Sequence, residues 1–101
     1  MGRYRYVIVI LSDQLDKKKF EDILVSELVY MYGALGLSKM NLKIVYFEKE
    51  RKIAILRLSL EGLKALRAMI CIKGFLKGGL RLHIAKVTGT VRKAKSIAKS
   101  L

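Results

Sequence analysis

The sequence contains no proline and no tryptophan, has one cysteine, and has no acidic residue after Glu61. A single cysteine cannot form an internal disulfide, so the chain is not a small disulfide-stapled domain. Cys71 lies in the apolar run 69–72 and is predicted to be a small buried hydrophobic residue. The apolar run 7–11 is too short to cross a bilayer, and we expect a cytoplasmic protein that does not contact membranes.

Enzyme signatures are also missing. His83 is the only histidine, no carboxylate pair is evident, and no glycine-rich phosphate loop is present. We therefore predict no catalytic residue, no metal site and no cofactor in the protein itself. The chain has one glutamine and one asparagine beside many charges, which favours a thermophilic source.

Charge is distributed unevenly along the chain. Residues 62–101 contain ten Lys and Arg and no acid, so about +10 of the net charge of +13 lies in this stretch. Hydrophobic residues make up 52% of the chain, which is typical of a folded domain rather than a disordered basic tail. Such a compact basic module favours a polyanionic partner, most simply a nucleic acid.

Hydrophobic periodicity predicts one α+β domain over residues 1–101. The predicted elements are a strand at 3–11, a helix at 17–34 ended by Gly33 and Gly36, strands at 40–48 and 53–60, a helix at 61–72, a strand at 80–87 and a basic helix at 90–101. This order is the ferredoxin-like, RRM-like βαββαβ sandwich with an additional C-terminal helix. On the first helix, Val25, Val29 and Tyr32 form a second apolar strip, which is either core or a protein-partner face.

Base stacking on the sheet is not expected, because the third strand has no aromatic residue and the RNA-recognition-motif signature is absent. If Tyr4 and Tyr6 face the helices, strand alternation directs Arg5 to the open face of the sheet. Arg57, Arg81 and His83 are predicted to lie on or beside the same face. Each could equally be an ordinary solubilising residue at a strand end.

The most specific motif is residues 87–95. Gly89 would let a ligand approach the backbone, Thr90 can cap the following helix, and Arg92 and Lys93 add charge to the positive end of the helix dipole. Arg92, Lys95 and Lys99 then form a basic ridge of about 10 Å, long enough for two successive phosphates. The alternative is a loop and cap followed by a solvated helix face.

Three segments resemble ribonuclease P protein component 2, the archaeal relative of the eukaryotic Pop-five subunit: residues 32–42, 55–57 and above all 87–93. The family typically has a Ser-Gly-Thr-Ile-Arg/Lys-Lys-like motif after its last core strand, and this chain has Thr88 and Val91 in place of the Ser and Ile. The resemblance extends from Arg3 to about Lys99.

The resemblance implies a noncatalytic subunit that binds and activates RNase P RNA for removal of 5′ leaders from precursor tRNA. It implies Mg²⁺ for the RNA-catalysed reaction, pairing with the TIM-barrel-like RNase P protein subunit, and self-association in a heterotetramer. The alternatives are another RNA-binding protein of this fold, such as a ribosomal protein, or a ferredoxin-like oligomerisation module. The candidate RNA contacts are Arg5, Arg57, Arg81, His83, Lys86, Thr88, Gly89, Thr90, Arg92, Lys93, Lys95 and Lys99.

Overall fold

The computed structural model describes residues 3–101, which form four strands and three α-helices. In chain order they are β1 (Tyr4–Leu11), α1 (Lys17–Met40), β2 (Lys43–Glu48), β3 (Ile53–Ser59), α2 (Leu60–Lys73), a 3₁₀ turn (Lys77–Gly79), β4 (Leu82–Thr88) and α3 (Val91–Ser100). The predicted α+β class, the order of elements and the C-terminal helix are confirmed. None of the helices within residues 3–101 has the length and hydrophobicity needed to cross a membrane.

The sheet has the order β2-β3-β1-β4, and all neighbouring strands are antiparallel. Helices α1 and α2 cover one face. The core on this side includes Val7 and Val9 of β1, Leu56 of β3, Phe20 of α1 and Leu66 of α2, all fully buried. Since β1 and β3 occupy the centre of the sheet, both of their faces are apolar.

Helix α3 packs on the opposite face of the sheet and forms a second, smaller core. Its members are Ile8 of β1, Ile53 and Ile55 of β3, and Ala94 and Ala98 of α3. The two alanines lie four residues apart and therefore on the same side of the helix, where their small side chains let it approach the sheet closely. The sheet face that was predicted to be open is thus partly covered by the chain's own last helix.

The first helix extends further than predicted. Gly33 and Gly36 were predicted to end the helix. Gly33, with φ 78° and ψ 168°, interrupts it, but a second helical segment continues through Gly36 to Met40. Met40, predicted to begin a strand, is instead buried against Gly62 of α2, and Asn41 ends the helix with φ 53°. A break in helical periodicity at a glycine can mean either that the helix ends or that it kinks. Here the helix kinks, because the second segment packs against the rest of the protein.

The predicted burial of Cys71 is wrong, because the cysteine is exposed. Helix α2 buries Leu66 and Met69 against the sheet. Cys71 lies two positions after Met69, which rotates it about 200° around the helix axis and away from the core. The apolar run 69–72 therefore passes from the inside to the outside of the helix within one turn.

Candidate nucleic-acid interface

The turn before α3 is held by two threonine hydroxyls. Thr90 is the N-cap, as predicted, and its Oγ1 accepts a hydrogen bond from the Lys93 amide at 3.3 Å. Thr88 is only 7% exposed, and its hydroxyl donates to the Thr90 carbonyl oxygen at 2.9 Å. Thr88 was predicted to contact RNA, but the structure engages its side chain inside the turn, where it fixes the direction in which α3 leaves the sheet.

Gly89 lies between these threonines on the exposed surface of the turn. It does not have a positive φ, and a Cβ built at this position would have no neighbour within 4 Å. Neither the backbone conformation nor the packing of the chain therefore requires glycine here. The open space around Gly89 would allow a ligand to reach the backbone directly.

The basic ridge of α3 is exposed to solvent. Its members Arg92, Lys95 and Lys99 are exposed, as is Lys93 beside them, while Ala94 and Ala98 on the other side of the helix are buried. The ion pairs found within residues 3–101 join Lys49 to Asp16, Arg51 to Glu48 and Lys73 to Glu27, so no residue of α3 takes part in them. The helix thus presents cations that no acidic side chain of residues 3–101 pairs with at salt-bridge distance.

Two of the predicted residues on β4 lie on the same face of the sheet as α3. His83 lies opposite Ile10 and Lys86 opposite Ile8, and Ile8 belongs to the core beneath α3. A register shift between Ile8 and Val9 leaves an extra residue in β4, and this bulge re-aims the strand next to the turn. His83 and Lys86 are exposed on this side of the sheet.

Arg81 lines a groove with His83 at the start of β4, but its guanidinium is directed towards Phe75. It precedes β4, and its guanidinium carbon lies 5.2 Å from the ring centre of Phe75, which follows α2. The backbone amide of Arg81 donates to Ser12 Oγ at 3.0 Å. The guanidinium thus lies at the C-terminal end of α2, on the side of the helix layer.

The predicted orientation of β1 is wrong. Tyr6 and Ile8 pack on the side of α3, whereas Val7 and Val9 face α1 and α2. Alternation therefore places Arg5 on the side of α1 and α2, with Nη1 donating to the Tyr4 carbonyl oxygen at 3.1 Å. Both faces of β1 are apolar, so its alternation could not indicate which set of side chains faces the first two helices.

Arg57 lies on the face of α3, opposite Tyr6 in β1. Its guanidinium donates two hydrogen bonds to the carbonyl oxygen of Asn41 and lies over the ring of Tyr4. Arg57 is therefore held by contacts within the protein at the edge of the predicted interface.

Comparison with known proteins decides the family. The model of the Rpp14/Pop5 family matches residues 3–99, nearly the whole chain. The chain belongs to the Rpp14/Pop5 family. This is a family of protein subunits of ribonucleases P and MRP, so the resemblance drawn from residues 87–93 is confirmed at the level of the family.

A solved structure shows the same fold. One chain in the cryo-EM structure of yeast ribonuclease MRP is similar with a TM-score of 0.66 and 11% identity, covering 99% of this chain and 92% of that chain. No curated protein matches the chain in sequence. The similarity in fold thus extends over nearly the whole chain and includes α3.

The three residues of the second apolar strip of α1 have different surroundings in this Rpp14/Pop5 chain. Tyr32 is half-buried and its hydroxyl donates to the Ala65 carbonyl oxygen of α2 at 2.9 Å, so this side chain joins the two helices. Val25 is half-buried, and Val29 is 38% exposed. A partner face on α1 can therefore include the valines, while the Tyr32 hydroxyl is already used inside the molecule.

No three His, Cys, Asp or Glu side chains come together within residues 3–101 of the Rpp14/Pop5 chain. Glu48 accepts a hydrogen bond from the Tyr46 hydroxyl at 2.8 Å. This bond raises the pKa of Tyr46 above its ordinary value. Glu48 also pairs with Arg51 at 3.5 Å, which ties the end of β2 to the following turn.

Proposed function

We propose that the chain is a noncatalytic RNA-binding subunit of ribonuclease P that uses α3 and its preceding turn to bind the backbone of the catalytic RNA. The observation that supports this most directly is the division of α3 into a buried alanine side and an exposed cationic side. The alanines fix the helix to the sheet, and the cations face outward without acidic partners. Membership of the Rpp14/Pop5 family supports the assignment of the chain to an RNase P or MRP particle.

The proposed mechanism is neutralisation of RNA phosphates. Arg92, Lys95 and Lys99 recur on one side of the helix and can each meet a phosphate, which releases counterions and makes binding strongly salt-dependent. Lys93 and the open backbone at Gly89 add a contact at the positive end of the helix dipole. Lowered repulsion between RNA segments would let the catalytic RNA keep its active fold at less Mg²⁺, while the RNA and its Mg²⁺ perform the chemistry.

The same proposal names the partners. They are RNase P RNA, precursor tRNA held near it in the holoenzyme, the TIM-barrel-like RNase P protein subunit, and a second copy of this chain in a heterotetramer. We place the complex in the cytoplasm of a thermophilic archaeon.

Reconstituted cleavage of precursor tRNA tests the function. RNase P RNA is assayed over a range of Mg²⁺ concentrations with and without this chain and the TIM-barrel-like subunit. The chain is expected to lower the Mg²⁺ concentration needed for half-maximal cleavage, and Arg92→Ala/Lys93→Ala/Lys95→Ala is expected to remove most of that effect. An unchanged Mg²⁺ requirement with the wild-type chain would refute the proposal.

A further inference from the structure

The outer edge of β4 has no partner strand. β4 is the last strand in the order β2-β3-β1-β4 and pairs only with β1. Within residues 3–101, the backbone of Leu82–Thr88 makes no backbone hydrogen bond outside this pairing. An edge of this kind is a template on which another extended segment can add as a strand.

The hydrogen bonds at the start of β4 show which of its backbone groups point outward. The Ser12 amide donates to the Arg81 carbonyl oxygen at 3.0 Å, so the backbone of Arg81 faces β1. Leu11, opposite Leu82, donates its amide hydrogen at 2.7 Å to the β2–β3 turn, away from β4. Since alternate residues of an antiparallel strand bond the same neighbour, Leu82 and Ile84 direct their N–H and C=O groups to the open edge. The bulge after Ile84 confines this regular edge to the start of β4.

Helix α2 forms a wall beside the open edge. Arg67, Ile70 and Cys71 lie on one side of α2 and line a groove with residues 82–84 of β4. Ile70 and Ile84 are half-buried and pack against the larger core. Because side chains alternate along a strand, a strand added at this edge would place every second side chain in the groove, where apolar side chains would fit.

Basic residues surround the start of β4, and no acidic residue lines the grooves there. Arg67 lines the groove beside α2, Arg81 lines a second groove with Ser12, and His83 lines both. None of these three basic residues forms a salt bridge within residues 3–101. Carboxylates on an added strand would therefore meet charges of opposite sign that no acidic side chain of the described residues neutralises.

We infer that the edge of β4 binds an extended segment of another protein in which carboxylate and apolar side chains alternate. Leu82 and Ile84 bond the backbone of this segment, the groove beside α2 takes its apolar side chains, and the basic residues at the start of β4 meet its carboxylates. This docking surface is separate from α3 and goes beyond the proposed function, on which it does not depend.

Two other occupants fit the edge less well. A second copy of β4 would pair antiparallel and bring Arg81 and His83 of two chains, each with a net charge of +13, close together. RNA would meet the outward carbonyl oxygens of Leu82 and Ile84, and a phosphate has only acceptors to offer them. An extended peptide supplies both the donors and the acceptors that this edge lacks.

Fluorescence anisotropy with a labelled peptide of alternating Glu and Val tests the docking surface. Two further peptides carry backbone N-methyl groups, one on every Glu and the other on every Val. Each therefore has one edge of its strand blocked, with the same charge as the parent peptide. We expect one of the methylated peptides to bind at least about tenfold more weakly than the parent and the other to differ less than about twofold, because only one edge pairs with β4. Equal affinities of the two methylated peptides, or no binding of the parent, would overturn the inference.

Two measurements locate the bound peptide. Cys71 is exposed in the groove, so saturating peptide should slow alkylation of its thiol at least about fivefold. Arg67→Glu should weaken peptide binding at least about fivefold, whereas Lys43→Glu, at an exposed position of the opposite edge strand β2, should change it less than about twofold. Circular dichroism checks that both variants are folded. An unprotected Cys71, or equal effects of the two variants, would show that the peptide binds elsewhere.

The competing occupants give different results. A dimer of the chain that the peptide dissociates, seen by sedimentation, would assign the edge to a second copy. Displacement of the peptide by RNase P RNA from Arg92→Ala/Lys93→Ala/Lys95→Ala would assign it to RNA, and either result would overturn the inference. In the absence of RNA this variant should bind the peptide like the wild-type chain, and loss of binding would place the peptide on α3. A failed Mg²⁺ test of the proposed function would leave the peptide result unchanged.

Discussion

Arg57 donates two hydrogen bonds to the carbonyl oxygen of Asn41, from Nε at 3.3 Å and from Nη2 at 3.1 Å. Asn41 ends α1 in the left-handed conformation, where helix carbonyls lack partners within the helix. The same guanidinium lies 4.6 Å from the ring centre of Tyr4. The Arg57 side chain of β3 therefore connects β1 with the end of α1. A contact between Arg57 and RNA, as predicted, would be a second role of the same guanidinium.

Replacing Arg57 with alanine should lower the free energy of unfolding by about 1–2 kcal/mol, because both hydrogen bonds and the ring contact are lost. Urea denaturation measures the change. Arg67→Ala, at an exposed position of α2, is the matched control and should change stability by less than about 0.5 kcal/mol. If Arg57 also meets a phosphate, the salt dependence of RNA binding in Arg57→Ala will fall by about one unit.

The triple variant Arg92→Ala/Lys93→Ala/Lys95→Ala should reduce the slope of log K against log salt by roughly 2–3 units, since each lost phosphate contact removes about one unit. Fluorescence anisotropy with RNase P RNA at several salt concentrations gives the slope. The control is Lys17→Ala/Lys18→Ala/Lys19→Ala, which removes the same charge from the exposed first turn of α1. Equal slopes for the two variants would mean that net charge, not the α3 surface, determines binding.

Substitution by alanine should lower stability at Gly62 but have little effect on stability at Gly89. A Cβ at Gly62 would lie 2.9 Å from Met40 Cβ and 3.0 Å from the Met40 carbonyl oxygen, so Gly62→Ala should destabilise the fold by about 1–3 kcal/mol. Gly89→Ala meets no neighbour and should change stability by less than about 1 kcal/mol. Gly89→Ala should instead lower RNA affinity. Thermal unfolding measures the stability of each variant, and fluorescence anisotropy measures its RNA affinity. Unchanged RNA affinity in Gly89→Ala would remove this backbone from the interface.

Loss of the α3 cap should loosen the basic helix. Thr90→Ala removes the acceptor of the Lys93 amide and should cost about 1 kcal/mol, whereas Thr90→Ser keeps an oxygen in the same place. Hydrogen exchange of the amides of residues 93–95 should be faster in the alanine variant only. Equal exchange in both variants would show that the cap does not stabilise α3.

Tyr46 should lose its proton at a higher pH than an ordinary tyrosine. Its neutral hydroxyl donates a hydrogen bond to the Glu48 carboxylate, and this bond raises the pKa of Tyr46. The bond contributes stability below pH about 10, the ordinary tyrosine pKa, and that contribution is lost as the pH rises through the higher pKa of the folded state. Glu48→Gln should move the pKa of Tyr46 back towards its ordinary value. Carbon-13 NMR of the tyrosine rings measures the shift, with Tyr46→Phe to assign the resonance.

The sequence was sufficient to predict the order of the elements because each one has its own signal. The hairpin between β2 and β3 has a charged turn, α2 ends at Gly74 with a backbone bond to Ile70, and α3 begins at its Thr90 cap. These signals are local, so they do not depend on how the rest of the chain folds. The basic ridge of α3 was predictable for the same reason, since helical spacing alone places its members together.

What escaped prediction depends on contacts between distant residues. The side of β1 that faces α1 could not be read from an apolar strand, and the placement of Arg57 required the position of Asn41, sixteen residues earlier. The exposure of Cys71 depends on the angle at which α2 meets the sheet. No local pattern indicated that α3 would fold back over the sheet, because an amphipathic helix specifies that it packs and not where it packs.

The two cores on opposite faces of the sheet have an evolutionary consequence. The smaller core involves α3 through only a few side chains, whereas α1 and α2 are anchored by a separate and larger set. Substitutions at Ala94 or Ala98 could therefore remodel the basic surface while α1 and α2 remain folded. Selection could in this way adjust the charged helix to a changing nucleic acid independently of the opposite face of the molecule.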